Sequence, residues 1–259
     1  MQHAEPPLEP LHSVPPSRDP VWNFWDVLKI AGVALLSILV LQVIVLFVAK
    51  AFFYQQMPLR EVANKPILAI ISQLFAYILV AQFMVMLVEG KYHVRFGTAI
   101  HWNWPGARSW VFVGIGVLTV GLDMLSRFLP MPKSTPFEHF FERPVDAYLI
   151  SIFAITLGPL MEELFFRGFL YPVIERRLGM LWGIFLTALP FGLMHSMQYG
   201  NSWAAVLVIF LVGVVLTTVR AKSNSVAASF LAHVGYNGTL MFLAALATGG
   251  FQHLDKMGT

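Results

Sequence analysis

The sequence predicts an all-α fold, a polytopic transmembrane helical bundle with about seven to eight spans. Of its 259 residues, 57% are hydrophobic and 12% are charged, whereas soluble domains carry about 25% charged residues. The mean hydropathy is +0.69. Several apolar runs reach the ~20 residues that a helix needs to cross a ~30 Å hydrocarbon core. These runs are continuously apolar and do not alternate, which disfavours a transmembrane β-barrel.

Seven apolar runs can be assigned as spans. They are Val27–Phe53, Pro66–Val88, Ser109–Leu129, Ala147–Leu170, Met180–Met197, Trp203–Val219 and Val226–Ala247. We expect three parts: a Pro-rich tail over residues 1–26, N-terminal transmembrane helices over 27–130, and a transmembrane core over 131–259 that carries the polar residues described below. Pro172 is expected to end or kink the fourth span, because proline cannot donate a helical hydrogen bond.

Charge and cysteine content exclude several functions. The net charge of +3 comes from Lys and Arg in short loops without a contiguous basic stripe, so nucleic-acid binding is not expected. With the N-terminus inside, the inner segments hold more Lys and Arg than the outer ones, and this bias favours a cytoplasmic N-terminus. The chain has no cysteine, which excludes disulfides, thiolate catalysis and Cys-based metal sites.

Charged residues inside the apolar runs are the first sign of function, because a carboxylate in hydrocarbon is costly unless it is paired or solvated. The stretch "GPLMEELFFRGFLYP" contains Glu162, Glu163 and Arg167. Glu163 and Arg167 are i and i+4 in the favourable order and are predicted to form an ion pair. Glu162 projects about 100° away and is left for chemistry. Asp123 and Arg127 form a second predicted i, i+4 pair, interpreted as structural.

Two histidines also fall within spans. His195 ends the fifth run, and His233 shares a helix face with Asn237 in the seventh. Together with Glu162, these residues could activate a water molecule and stabilise an oxyanion. Alternatively, Glu162, His195 and His233 could be the three ligands of a zinc ion with one open position. Both arrangements hydrolyse an amide or ester, so zinc is a candidate cofactor to which the residues alone do not commit.

Other functions fit the same residues. Buried Glu and His side chains suit a proton- or ion-coupled transporter, although no paired broken helices in matching halves indicate one. A non-catalytic immunity or scaffold membrane protein would use Glu162 and Glu163 only in a buried ion-pair network that stabilises the bundle. His233 and Asn237 could be interhelical hydrogen-bonding groups, and Phe191 is expected to be a packing residue.

Three ordered motifs resemble those of the CPBP (Abi) intramembrane proteases, which include the type II CAAX prenyl proteases. The family pattern is EExxxR, FxxxH and HxxxN. Here the motifs are "EELFFR" at Glu162–Arg167, "FGLMH" at Phe191–His195 and "HVGYN" at His233–Asn237. The resemblance covers about residues 145–248.

The resemblance implies a helical intramembrane endopeptidase that opens toward the cytosol and the bilayer. It implies that Glu162 and His195 activate water, that His233 and Asn237 stabilise the oxyanion, and that Glu163 is a supporting residue together with Arg167. The family is described both as metalloproteases and as glutamate-type proteases, and the glutamate mechanism is preferred here. The implied partners are membrane lipid and a peptide or lipidated protein substrate, including prenylated CAAX-type substrates, and the implied location is the cell membrane.

Overall fold

The computed structural model describes residues 20–132, 135, 136, 141 and 143–253. Most of the predicted N-terminal tail therefore lies outside the described residues. The all-α prediction is confirmed. Six helical segments of the described chain are long and apolar enough to cross a membrane, and one of them, Pro144–Met194, has 51 residues.

The helices follow one another with short connections. In chain order they are α1 (Phe24–Phe52), α2 (Leu59–Ala63), α3 (Pro66–Val85), α4 (Phe96–Ala99), α5 (Ser109–Thr119), α6 (Pro144–Ile155), α7 (Leu157–Glu163), α8 (Tyr171–Met194), α9 (Trp203–Ser223) and α10 (Val226–Ala247). A π-helical turn, Met86–Lys91, extends α3, and a second, Leu164–Leu170, joins α7 to α8. The 3₁₀ segments Gly106–Arg108 and Val120–Phe128 flank α5, and Ser196–Tyr199 follows α8.

The segment Pro144–Met194 makes more than one pass. A straight helix of 51 residues would be about 76 Å long, more than twice the hydrocarbon thickness. Gly179 divides it, because its φ of 80° and ψ of 169° are not helical. The division falls between the fourth and fifth predicted spans, Ala147–Leu170 and Met180–Met197. Pro172 does not end the helix as predicted: it lies in the first turn of α8, where its missing N–H is tolerated.

The beginning of α1 is fixed to the rest of the bundle. Asn23 caps the helix with a capping box that includes Asp26, and such caps satisfy otherwise unpaired backbone N–H groups. Asp26 is fully buried and accepts hydrogen bonds from Lys91 Nζ at 2.8 Å and Tyr92 Oη at 2.5 Å. Burial, and then the hydrogen bond to Asp26, raise the pKa of Tyr92. The start of α1 and the end of α3 therefore lie on the same face of the bundle.

Helices α5 and α10 approach each other through two glycines. A Cβ added to Gly116 would lie 1.9 Å from the carbonyl oxygen of Ala232, and one added to Gly235 would lie 2.3 Å from that of Val113. Small residues allow such close contact between membrane helices, where packing replaces the hydrophobic effect as the main attraction. Because His233 lies between Ala232 and Gly235, this contact fixes its depth and direction.

We predict that Gly116→Ala destabilises the protein, because the added methyl group would overlap the α10 backbone. Overpacking of this kind costs about 1–3 kcal/mol, which lowers Tm by several degrees in a chain of this size. Thermal unfolding in detergent micelles measures the effect. Gly114→Ala is the matched control, since it lies in the same helix and its Cβ would meet no atom within 4 Å. An equal Tm for the two variants would contradict the close contact.

Candidate active site

The π-helical turn Leu164–Leu170 carries Arg167 at its centre, directly after the two glutamates. A π turn leaves backbone carbonyls without their usual helical donors, and such turns are frequent at functional sites. Two side chains from outside the turn supply donors here. Trp22 Nε1 donates to the Phe169 carbonyl at 3.0 Å, and Arg220 Nε donates to the Arg167 carbonyl at 3.1 Å. The turn is therefore fixed from α9 and from the segment before α1.

The predicted ion pair is present and has no contact with solvent. Arg167 Nη1 lies 2.7 Å from Glu163 Oε1, and both side chains are 0% exposed. The remaining donors of Arg167 point to α9, with Nε 3.2 Å from Thr217 Oγ1 and Nη2 3.1 Å from the Gly213 carbonyl. A buried ion pair offsets its desolvation only when its other hydrogen-bonding groups are also satisfied, and these contacts meet that condition.

Glu163 also connects the first motif to the third. Its Oε1 atom lies 2.9 Å from His233 Nδ1, and its Oε2 atom accepts a 2.6 Å hydrogen bond from Ser229. Sequence reasoning missed Ser229, although its position four residues before His233 places it on the same face of α10. Thr217 was also missed, and only its polarity within an apolar run indicated it. Glu163 is thus a shared acceptor for the π turn, through Arg167, and for α10, through Ser229 and His233.

Glu162 points away from this network, as its helical position predicted, and lies between the two histidines. Its Oε1 atom is 3.9 Å from His195 Nε2, and its Oε2 atom is 3.8 Å from His233 Nε2. The structure therefore brings together residues from α7, α10 and the end of α8. These separations are too long for direct hydrogen bonds and short enough for one water molecule to contact both atoms of a pair.

The second nitrogen of each histidine ring is already engaged. His195 Nδ1 lies 2.8 Å from the Phe191 carbonyl, and His233 Nδ1 faces the Glu163 carboxylate. Carbonyls and carboxylates only accept hydrogen bonds, so Nδ1 carries a proton in both rings. In a neutral ring Nε2 is then a lone-pair acceptor, and in a cationic ring it is a donor. Both rings present this nitrogen to Glu162.

Phe191 has a larger part in the site than the predicted packing role. Its ring is 2% exposed, lies 4.5 Å beneath the Arg167 guanidinium and is 4.9 Å from the His195 ring. It also contacts His233 edge-on at 5.9 Å. Gly213 permits this arrangement, because a Cβ there would lie 2.9 Å from the Phe191 ring. Phe191 therefore packs against both the Arg167 guanidinium and the His195 ring.

Asn237 lines the same cavity as the histidines, and one of its amide protons is already used. Asn237 Nδ2 donates to the Ala154 carbonyl at 2.7 Å. Ala154 lies near the end of α6, where Thr156 departs from helical geometry and Pro159 offers no N–H. Asn237 thus connects α10 to the break that precedes Glu162. Stabilisation of an oxyanion by Asn237 stays a prediction. It would use the second amide proton, which the Ala154 carbonyl does not accept.

A cavity of about 310 Å³ contains all four predicted catalytic residues. Sequence reasoning did not assign to the site five further polar residues that line it, namely Gln73, Tyr77, Gln198, Tyr199 and Tyr236. Burial, and then the charges of Asp123 and Glu162, raise the pKa of Tyr199 above its ordinary value, so its hydroxyl keeps its proton. The site therefore has neutral hydroxyl donors beside the carboxylate and the imidazoles.

The predicted Asp123–Arg127 pair does not form. Both residues lie in the 3₁₀ segment Val120–Phe128, in which a residue and its i+4 neighbour point about 120° apart. Asp123 instead accepts a 3.2 Å hydrogen bond from Tyr236 Oη. The α-helical spacing used for the prediction was wrong for this segment, and Asp123 connects α5 to the cavity wall through Tyr236.

The donor set has the right chemistry for zinc but a wider spacing. Two ligands of a tetrahedral zinc ion lie about 3.3 Å apart, whereas the Glu162–histidine separations are 3.8 and 3.9 Å. No group of three His, Asp or Glu residues within the described part of the chain has the geometry of a metal site. As placed, Glu162, His195 and His233 do not fit a zinc ion.

Comparison with known proteins identifies the part of the chain that contains this site. Residues 144–239 match the model of the type II CAAX prenyl endopeptidase Rce1-like family. This segment of the chain is similar to that family. The matched segment begins at α6 and ends just after Asn237, so it includes Glu162, Glu163, Arg167, His195 and His233 as well.

A curated relative has no assigned function. The uncharacterized 24.3 kDa protein of Escherichia coli is 30% identical over 130 residues, which are 48% of this chain and 58% of the relative. The chain thus matches little more than half of that relative's length. No solved structure matches the chain significantly.

We predict that Glu163→Gln lowers thermal stability strongly, because it leaves the buried Arg167 charge without its partner. Breaking a buried pair in this way costs about 3–5 kcal/mol. Glu162→Gln is the matched control: its side chain is 20% exposed and its nearest histidine nitrogen is 3.8 Å away, so Tm should change little. Thermal unfolding of both variants in the same detergent checks this, and a Tm loss confined to Glu162→Gln would reverse the assignment.

Proposed function

We propose that the protein is an intramembrane endopeptidase that hydrolyses a peptide bond of a membrane-associated substrate with water activated by Glu162 and His195. The observation that carries the proposal is the position of the Glu162 carboxylate, with each oxygen facing a histidine Nε2 atom at 3.8–3.9 Å. The similarity of residues 144–239 to the type II CAAX prenyl endopeptidase Rce1-like family supports the same reaction class.

Water activation uses the gap between Glu162 and His195. A water molecule in this gap donates one proton toward the carboxylate and is held by the imidazole nitrogen. As its oxygen bonds to the substrate carbonyl carbon, its proton passes to Glu162. When the carbon–nitrogen bond breaks, Glu162 returns the proton to the leaving amine. The immediate products are a carboxylic acid and an amine, and Glu162 is ionised again; transfer of the acid proton to the amine then gives a carboxylate and an ammonium group.

Oxyanion stabilisation falls to His233 and Asn237. With Nδ1–H donating to Glu163 at 2.9 Å, His233 is a donor at Nε2 only when the ring is cationic, and the Glu163 carboxylate stabilises that cation. Asn237 supplies the amide proton that Ala154 does not use. Preorganised donors of this type act strongly where water is excluded, and the loss of one typically costs about 10²–10³ in kcat.

The substrate class follows from the cavity and the membrane. Apolar side chains, including Ile70, Ile150 and Leu240, form much of the wall, so an uncharged peptide segment or a lipid-modified one fits it. Prenylated CAAX-type substrates are one such class. We place the protein in the cell membrane with its N-terminus in the cytoplasm, on the basis of its loop charges.

We predict that Glu162→Gln and His195→Ala abolish peptide hydrolysis, because each removes one side of the water site. The assay uses purified protein in liposomes and a library of internally quenched apolar peptides. The rate should fall by at least 10²-fold, consistent with loss of general base catalysis.

Glu61→Gln is the control for this assay, since Glu61 lies in the short helix α2 and is exposed to solvent. It should retain the full rate. Unchanged hydrolysis in both site variants, with folding confirmed by an unaltered Tm, would refute the proposal.

A further inference from the structure

A cleft between α5 and α9 is separate from the active-site cavity, because the two share no lining residue. Its volume is about 790 Å³, within the range of about 300–1,000 Å³ that is usual for ligand sites. The proposed hydrolysis does not use its residues. We call it the α5–α9 groove and define it by six side chains that line it: Arg108, Phe112, Ile115, Val215, Thr218 and Lys222.

The wall that α5 forms has a cation at one end and apolar side chains below it. Phe112 and Ile115 follow Arg108 by four and seven residues, which places all three on one face of the helix. Both apolar side chains are partly buried and pack against the hydrophobic core. Seven helical residues rise about 10 Å, so this wall extends through most of one half of a ~30 Å hydrocarbon core.

The wall that α9 forms has the same pattern in the opposite chain direction. Thr218 and Val215 precede Lys222 by four and seven residues. The Thr218 hydroxyl donates to the Val214 carbonyl of its own helix at 2.7 Å, so it brings no unpaired donor into the groove. Each wall is therefore apolar below its cation.

Hydrogen bonds between loops place the two cations at the same end of the groove. Arg108 lies just before α5, and Lys222 lies in the last turn of α9. The loop before α5 and the turn after α9 are joined, because Ser225 donates to the Asn103 carbonyl and Asn103 Nδ2 donates to the Asn224 carbonyl at 3.2 Å. The groove thus begins at a cationic end and continues between the two helices as an apolar channel.

Neither cation has an acidic partner in the chain. Arg108 and Lys222 are exposed, and neither forms an ion pair with another of the described residues. The sequence explains this, since residues 90–122 and 176–254, which include α5, α9 and α10, contain no Asp or Glu. The positive ends of the α5 and α10 helix dipoles lie at the same end and add to the potential. The cations are therefore available to an anion from outside the chain.

An anionic phospholipid has the chemistry that fits both parts of the groove. Its phosphate can accept charge-assisted hydrogen bonds from Arg108 and Lys222, and an acyl chain can lie against the apolar walls. Trp104, which is 58% exposed, also lines the groove, and tryptophan is enriched at the level of lipid headgroups. Basic pockets between membrane helices bind anionic headgroups, whereas a zwitterionic headgroup would add a cation that no carboxylate here would neutralise.

We propose that the α5–α9 groove binds one anionic phospholipid, with its phosphate on Arg108 and Lys222 and an acyl chain along Phe112, Ile115 and Val215. The bound lipid joins the start of α5 to the end of α9. The proposal concerns binding at a separate place in the fold and does not depend on the proposed hydrolysis.

The lipid contacts the helix that holds the buried ion pair. Gly213 and Thr217 of α9 bind Arg167, and the residue that follows each of them, Val214 and Thr218, lines the groove. A ligand that binds the folded protein and not the unfolded chain raises stability. Occupancy of the groove can therefore be measured through Tm.

The first test removes the two charges. Full-length protein, stripped of lipid in an uncharged detergent, is titrated with phosphatidylglycerol or with phosphatidylcholine of the same acyl chains, and Tm is measured. We expect phosphatidylglycerol to raise Tm and phosphatidylcholine to leave it unchanged. In Arg108→Gln/Lys222→Gln the half-maximal phosphatidylglycerol concentration should rise about 30-fold, since each cation contributes about fivefold near a lipid surface.

Arg95→Gln/Arg177→Gln is the matched control, because it removes the same charge from two exposed residues that do not line the groove. This control should keep the wild-type titration curve. An equal loss of affinity in both double variants would show that the lipid responds only to net charge. An equal Tm rise with both lipids would show general solvation by lipid. Either result would overturn the proposal.

A second pair of variants tests the acyl chain. Val215→Phe fills the groove without a change of charge, and Leu207→Phe is its control, since Leu207 lies on the same helix, is 38% exposed and does not line the groove. We expect Val215→Phe to weaken phosphatidylglycerol binding about 10-fold, as for the loss of contact by about two methylene groups, and Leu207→Phe to leave it unchanged. This pair decides the question by itself if the charge variant does not fold.

Inorganic phosphate distinguishes a lipid from a free anion at the same two cations. We expect phosphate alone to leave Tm unchanged, because it cannot occupy the apolar walls. A rise with phosphate equal to that with phosphatidylglycerol would indicate an adventitious ion only and would contradict the proposal. An unchanged phosphatidylglycerol affinity in Val215→Phe would contradict it as well.

Discussion

The buried ion pair between Glu163 and Arg167 is the interaction on which the rest of the structure depends. Both side chains are fully enclosed. Glu163 contacts α10, and Arg167 contacts α9 and the Phe191 ring. Since an unpaired charge at this depth is very costly, the helices that supply its partners cannot separate without a large loss of stability. The pair thereby holds His233 and Phe191 in place and orients Glu162, its neighbour in sequence, toward the cavity.

Irregular backbone geometry on either side of Glu162 and Glu163 lets these adjacent side chains make different contacts. The π turn after Glu163 places Arg167 against α9, and the break at Thr156 redirects the helix before Glu162. Each irregularity exposes carbonyls, and each is stabilised by a donor from elsewhere, namely Trp22, Arg220 or Asn237. Asn237 has two roles, because the same amide supports the helix break and borders the site where the oxyanion would form.

Regular helix geometry accounts for what could be predicted from the sequence. The lengths of the apolar runs predicted the helices. The i, i+4 spacing predicted the Glu163–Arg167 pair and the separate direction of Glu162. The same spacing failed for Asp123 and Arg127, because a 3₁₀ segment replaces the α-helix there. The missing N–H of Pro172 did not mark the helix end, which lies at Gly179. The Tyr77, Gln198 and Tyr199 contributions depend on tertiary packing, which no local pattern in one sequence encodes.

The central claim is that Glu162 and His195 hold a water molecule and not a metal ion. A high-resolution diffraction experiment with anomalous data across the zinc absorption edge tests it most directly, on protein purified without chelator and supplied with zinc. The account predicts a single water peak within about 3.2 Å of both Glu162 and His195 Nε2, without anomalous signal. An anomalous peak about 2.1 Å from Glu162, His195 and His233 would contradict the account.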